Sequence, residues 1–160
     1  MSYIGLGAFR PVIQPPPIPA AGARRQTAGM DVFLVEDSPL VLERLSVMLD
    51  AIPGVKIVGH ASGVREAIAG IFRTRPEIVV LDLKLAQGSG FDVLATVHER
   101  EPGIDFYMLS NFASEPYRRH AQRLGALGFF DKTNEFERVR DVVAERARDL
   151  NPRAATVPTH

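Results

Sequence analysis

Short apolar runs alternate along the middle of the chain with longer stretches in which apolar residues recur every three or four positions. The runs are Val32-Phe33-Leu34-Val35, 55–58, Ile78-Val79-Val80-Leu81, 106–109 and 127–130. The longer stretches cover about 39–51, 64–73, 91–100, 115–124 and 135–150. The first pattern is that of buried strands and the second that of helices with one apolar face. In the last stretch Phe136, Val139, Val143, Ala147 and Leu150 make up such a face, which we read as core contact. Five strands, each followed by a helix, predict an α/β fold with a parallel sheet covered on both faces.

The strands also predict an order. The first, third and fourth runs are apolar without a break, as a strand buried on both faces requires. The second carries Lys56 and the fifth is short and flanked by glycine, which suits edge positions. The order 2-1-3-4-5 satisfies these demands: a doubly wound, flavodoxin-like five-stranded sheet flanked by five helices. Helix punctuation agrees with this reading. Ser38 precedes Pro39, an N-cap followed by a proline where its missing N–H does no harm, and Ser89 caps the third helix in the same way.

The two ends break the alternation. Residues 1–29 contain the cluster Pro15-Pro16-Pro17 and no regular periodicity, so we expect an extended arm, either a docking tether or a plain extension ahead of a start at Met30. Residues 151–160 are similarly irregular and read as a tail or linker, leaving 30–150 as one folded domain. The whole chain has 160 residues, 46% hydrophobic and 24% charged, which suits one globular domain. It has no cysteine, which removes disulfides, thiolate metal sites and a thiol nucleophile, and is expected of a cytoplasmic protein. The arm holds three of the nineteen basic residues and no acid, so the rest is mildly acidic, an argument against nucleic-acid binding. No apolar run is long enough for a membrane span.

In a parallel sheet all strands end on one rim, and ligands bind there. The first strand leads into Glu36-Asp37, the third into Asp82, the fourth into Ser110 and the fifth into Lys132. Taken singly, Glu36-Asp37 reads as a solvated turn, Asp82 as either a strand-end cap or a site, and Lys132 as a surface charge. Their joint arrival on one rim argues for a site. Three carboxylates in partly dry surroundings need a cation or must take up protons. Magnesium, which prefers oxygen ligands and is seated by one or two carboxylates, fits. Asp82, between that seat and the Lys132 ammonium, is placed to act as nucleophile toward a phosphoryl group.

These stretches together resemble the response-regulator receiver domain of two-component signalling. The matching segments are 32–38, 78–85 around Asp82, Met108-Leu109-Ser110, and 125–132 ending at Lys132. The resemblance implies that Asp82 takes a phosphoryl group from a sensor histidine kinase or phosphotransfer protein. It implies direct magnesium ligation by Asp37, Asp82 and the Lys84 backbone carbonyl, with Glu36 acting through water. Ser110 would hydrogen-bond the phosphoryl group, Lys132 would pair with it, and Phe129 would change rotamer. The output surface would be about 113–150, read by a downstream protein or a second copy.

Several features modify this expectation. Thr133 stands where the family often has proline after the lysine, which makes a cis peptide there less assured, and Ala86 stands where proline is frequent in the loop after Asp82. Lys84 and Phe112, two residues after Asp82 and Ser110, line the approach to the phosphoryl group and are expected to slow attacking water. A scaffold that takes no phosphate is one alternative. A magnesium-dependent phosphohydrolase is another, but it would carry a second aspartate where Lys84 lies, so no separate substrate is expected. Gly88-Ser89-Gly90 lacks the rest of a nucleotide loop and reads as a turn. His60, His98, His120 and His160 lack metal-ligand spacing and are expected on the surface, and Arg118, Arg119 and Arg123 form a solvated face or docking patch.

Overall fold

A strand whose every residue is buried must be covered on both faces, and Ile78–Leu81 is such a strand. The computed structural model describes residues 29–150. The expected arm, apart from Gly29, and the expected tail lie outside the described residues. The elements are β1 (Met30–Val35), α1 (Pro39–Asp50), β2 (Val55–Ala61), α2 (Val64–Thr74), β3 (Ile78–Leu81), α3 (Gly90–Arg100), β4 (Asp105–Ser110), α4 (Glu115–Leu124), β5 (Gly128–Asp131) and α5 (Phe136–Leu150). All strand pairs are parallel and the sheet order is β2-β1-β3-β4-β5, the predicted 2-1-3-4-5 arrangement.

Alternate strand residues point to opposite faces and divide the core in two. On one face Val32, Leu34, Ile78, Val80, Tyr107 and Leu109 pack with Leu45 and Leu49 of α1 and Val139 and Val143 of α5. On the other, Phe33, Val35, Val79, Leu81, Phe106 and Met108 meet Ile71 of α2, Val93, Leu94 and Val97 of α3, and Ala121 of α4. Each buried Val, Leu, Ile, Phe or Met side chain among these contributes roughly 1.5–3 kcal/mol by leaving water. The strand ends that carry polar residues are therefore held on a rigid base.

Some boundaries differ from expectation for local reasons. β2 runs three residues beyond Val58 because Gly59, His60 and Ala61 continue the backbone ladder with Phe33, Leu34 and Val35. The apolar pattern stops earlier than the pairing. β5 begins one residue later than expected, since Leu127 is 61% exposed although its N–H still bonds to the Phe106 carbonyl. The α5 stripe holds for Phe136, Val139, Val143 and Ala147, but Leu150 is exposed at the helix end, a correction to the expected apolar face. Both helix caps form: Ser38 Oγ accepts from Val41 N–H, and Ser89 makes a reciprocal capping box with Asp92.

Candidate functional site

β1 and β3 end side by side. Val35 pairs with Leu81, and the N–H of Asp82 donates to the Val35 carbonyl at 2.9 Å. Glu36 and Asp82 therefore leave the sheet from neighbouring strands, and both remain buried, at 2% and 5% exposure. Asp37 is exposed. One carboxylate oxygen from each of Glu36, Asp37 and Asp82 lies within 4.8 Å of the others. Oxygens alone at that spacing suit a hard divalent cation.

The lysine arrives from the other side. Ser110 pairs with Asp131 where β4 and β5 end, and the Lys132 N–H donates to the Ser110 carbonyl at 3.0 Å. From that anchor Lys132 Nζ reaches Asp82 Oδ2 at 2.8 Å and Glu36 Oε1 at 3.0 Å. Glu36 Oε2 also accepts the Ser38 N–H at 3.0 Å, where α1 begins. One ammonium thus bridges two buried carboxylates.

Protonation follows from this geometry. Burial pushes the Asp82 carboxyl above its ordinary value, opposed by the Lys132 hydrogen bond and charge and assisted by the Asp37 charge. Burial likewise raises Glu36, opposed first by its hydrogen bond from Lys132. Burial acts to lower Lys132, but its bonds to Asp82 and Glu36 outweigh that and hold it above its ordinary value. The pocket favours a charged lysine and is short of positive charge for its acids.

The structure brings Glu36, Asp37, Asp82 and Lys132 into one cluster. The other predicted residues surround it with bonds of their own. Ser110 is fully buried, and its Oγ accepts the Phe112 N–H at 3.0 Å. Phe129 is buried on β5 opposite Met108. Lys84 forms a short antiparallel bridge with Ser89. That bridge uses the Gly90 N–H to the Leu83 carbonyl and the Leu85 N–H to the Gly88 carbonyl, so it does not consume the carbonyl of Lys84. Lys84 Nζ also sits 5.5 Å from the Phe112 ring centroid, a cation–π contact between the two expected shielding residues. No peptide bond among the described residues is cis, the one joining Lys132 to Thr133 included.

Four residues, Gly90, Arg118, His98 and His120, depart from what the sequence pattern predicts. Gly90 packs directly against the backbone of Asp82: a Cβ there would overlap the Asp82 carbonyl oxygen, so only glycine allows α3 to start so close. The glycine pair does build a turn, with Gly88 at φ +89°, but this second role is visible only in three dimensions. Arg118 does not belong to a solvated face. Its guanidinium folds back onto β5, donating to the Phe129 carbonyl at 2.7 Å, whereas Arg119 stays exposed beside Glu115. His98 is half-buried, with Nδ1 buried and lacking a hydrogen-bond partner, because its ring packs over Gly125. His120 is half-buried edge-on to Phe91, His60 is exposed as expected, and His160 lies outside the described residues.

Three carboxylates facing a lysine at the carboxyl rim of a doubly wound parallel sheet define a class of site suited to a divalent cation and a phosphoryl group. Residues 32–144 match the family model of the response regulator receiver domain, and the chain belongs to that family. It is 35% identical over 128 residues to the DNA-binding transcriptional activator DevR/DosR of Mycobacterium tuberculosis, covering 78% of this chain and 58% of that protein. Among solved structures it is similar to the signal receiver domain of a Luxo repressor protein from Vibrio parahaemolyticus, with TM-score 0.69, 26% identity, and 82% and 99% of the two chains covered. A CheX-CheY-BeF3-Mg complex from Borrelia burgdorferi shares the fold at TM-score 0.65 and 22% identity, over 76% and 88% of the chains. The chain spans 58% or less of the length of the first curated relatives it matches. No helix among the described residues is long and apolar enough to cross a membrane.

Proposed function

We propose that Asp82 is the phosphoacceptor of a two-component relay, charged by a histidine kinase or phosphotransfer protein. One Asp82 oxygen attacks the phosphorus of a phosphohistidine. The P–N bond breaks, its electron pair returns to the imidazole nitrogen, which takes up a proton, and an acyl phosphate remains on Asp82. Asp37, Asp82 and the Lys84 carbonyl would hold magnesium, with Glu36 acting through water, and the ion would supply positive charge to the phosphoryl oxygens. Lys132 already pairs with Asp82 Oδ2 and offers the same charge from the opposite side. Ser110, one hydroxyl at the end of the neighbouring strand, is the remaining donor for a phosphoryl oxygen.

The observation that carries this reading is the bridge from Lys132 to both Asp82 and Glu36 beside Asp37. A charge set of this kind stabilises a transferred group mainly by position and electrostatics. The acquired acyl phosphate would recruit Ser110, Phe129 and Lys132 and alter the surface from Ala113 to Leu150. A downstream protein or a second copy would read that surface in a cytoplasmic setting. Titrating beryllium fluoride into the protein with and without magnesium, followed by amide NMR and by sedimentation, tests the proposal. A saturable, magnesium-dependent change centred on Asp82 supports it. No change would favour a scaffold that takes no phosphate.

The Lys84–Phe112 contact gives a second expected result. Lys84→Ala and Phe112→Ala should each speed loss of the acyl phosphate, since either opens the approach that their cation–π pair covers. A contact worth about 0.5–1 kcal/mol translates to a rate increase of roughly two- to fivefold. Release of inorganic phosphate from pre-phosphorylated protein measures it, and unchanged rates in both variants would refute the shielding role.

A further inference from the structure

Arg118 joins three segments that are otherwise separate in the chain. Its Nε–H donates to the Ala113 carbonyl at 3.0 Å, in the loop between β4 and α4. One terminal N–H donates to the Phe129 carbonyl at 2.7 Å, and the Phe129 ring centroid lies 5.4 Å from the guanidinium carbon. The other reaches Glu135 Oε1 at 3.3 Å. Glu135 Oε1 also accepts the Asp131 N–H at 2.9 Å, and Asp131 Oδ1 accepts the Thr133 N–H at 2.7 Å, which closes the loop around Lys132. The planar guanidinium carries five donors and no acceptor, which lets one side chain hold three acceptors in fixed relation.

Each segment so tied contains or adjoins a residue that an acyl phosphate on Asp82 would engage. Ala113 lies three residues beyond Ser110, Phe129 is itself held, and Lys132 sits between Asp131 and Glu135. In the arrangement described, Ser110 Oγ is bonded to the Phe112 N–H and Lys132 is shared between Asp82 and Glu36. Drawing Ser110 and Lys132 toward a phosphoryl group would displace the loops that end on Arg118. The three bonds cannot all survive independent movement of their acceptors.

We propose that Arg118 is a positioning residue that locks the Ser110 loop, Phe129 and the Lys132 loop together in this arrangement, and that its release is part of switching. The proposal rests on Asp82 being the phosphoacceptor. A tie that must break on switching weakens binding of a phosphoryl mimic by the same factor by which it favours the locked arrangement. A purely structural role, covering the open edge of β5, predicts lost stability with no gain in affinity.

The test is beryllium fluoride titration in saturating magnesium of wild type, Arg118→Ala and Arg118→Lys, read by amide NMR. Arg118→Ala should bind the mimic about tenfold more tightly, within the usual span of such couplings. Before the mimic is added, its β5 and α4 amide resonances should already be displaced toward their mimic-bound positions. Arg118→Lys, which keeps the charge but not the three-way fork, should shift in the same direction by less, and serves alone if the alanine variant does not fold. Equal or weaker affinity in the variants while the wild type responds would overturn the lock and leave Asp82 in its role. A wild type that does not respond at all would overturn both.

Discussion

Lys132→Met is expected to cost the fold about 3 to 5 kcal/mol at pH 7, the usual penalty for removing one partner of a buried ion pair. The reason is local. Lys132 is the cation shared by Glu36 and Asp82, whose side chains are 1% and 6% exposed. Methionine conserves the apolar stem and removes the charge, leaving two buried carboxylates to repel each other. They answer by binding protons. The loss should therefore shrink between pH 7 and pH 5, because acids already pushed upward by burial take up protons more readily once Lys132 is gone. Urea unfolding of both proteins at the two pH values checks this, and an equal loss at both would show that the charge is not what Lys132 contributes.

The second large effect is stabilisation by magnesium and its dependence on pH. Glu36 and Asp82 have pKa values raised in the folded chain above ordinary values of 4.5 and 3.8. Between the ordinary and raised values the folded state binds more protons than the unfolded one, so stability falls as pH rises through that window. A magnesium ion requires the same carboxylates ionised, and its effect runs the other way, growing as pH rises through the window. At one hundred times the Kd, magnesium should add about 2.7 kcal/mol near neutrality, with little remaining near pH 4. Lys132 acts at the opposite end. Its raised pKa gives stability that is complete below the ordinary value of 10.5 and lost as pH rises through the folded value. Thermal unfolding with magnesium or EDTA at several pH values reads all three signs, and a magnesium effect independent of pH would contradict the assignment of the acidic cluster.

The fold was largely legible because its inner strands are buried on both faces. Ile78–Leu81 is apolar throughout and buried throughout, and Lys56 marks the edge strand where it was expected. Sequence pattern failed where backbone pairing outran hydrophobicity, as at Gly59 and His60, and where an apolar residue was left in water, as at Leu127 and Leu150. The site was legible to the extent that strand ends determine it. Glu36, Asp37, Asp82 and Lys132 each follow a strand directly, so a parallel sheet brings them together. Arg118 lies on a helix surface, and nothing in Arg118-Arg119 distinguishes the residue that folds inward from the one that faces water. The closeness of Gly90 to the Asp82 carbonyl depends on where α3 docks, which no local motif states. His98 escaped for the same reason: its burial depends on Gly125, across the α3–α4 contact.

The site has a division of labour that follows from these positions. Glu36 and Lys132 are ion-paired at 3.0 Å, while Asp37 is exposed and Lys84 and Phe112, in contact with each other, are proposed to shield one approach. The proposed phosphodonor would therefore meet an acid–lysine pair that is already formed. Arg118 connects the far side of that pair to α4 and β5, the surface proposed to carry the signal outward.

The most direct test of Asp82 is chemical. Wild type and Asp82→Asn are incubated with magnesium and a small acyl phosphate donor, then digested and mapped by mass spectrometry. One base-labile phosphoryl group is expected, on Asp82, formed only with magnesium and absent from the variant. A wild type that acquires no phosphoryl group, or a variant labelled to the same extent elsewhere, would contradict it.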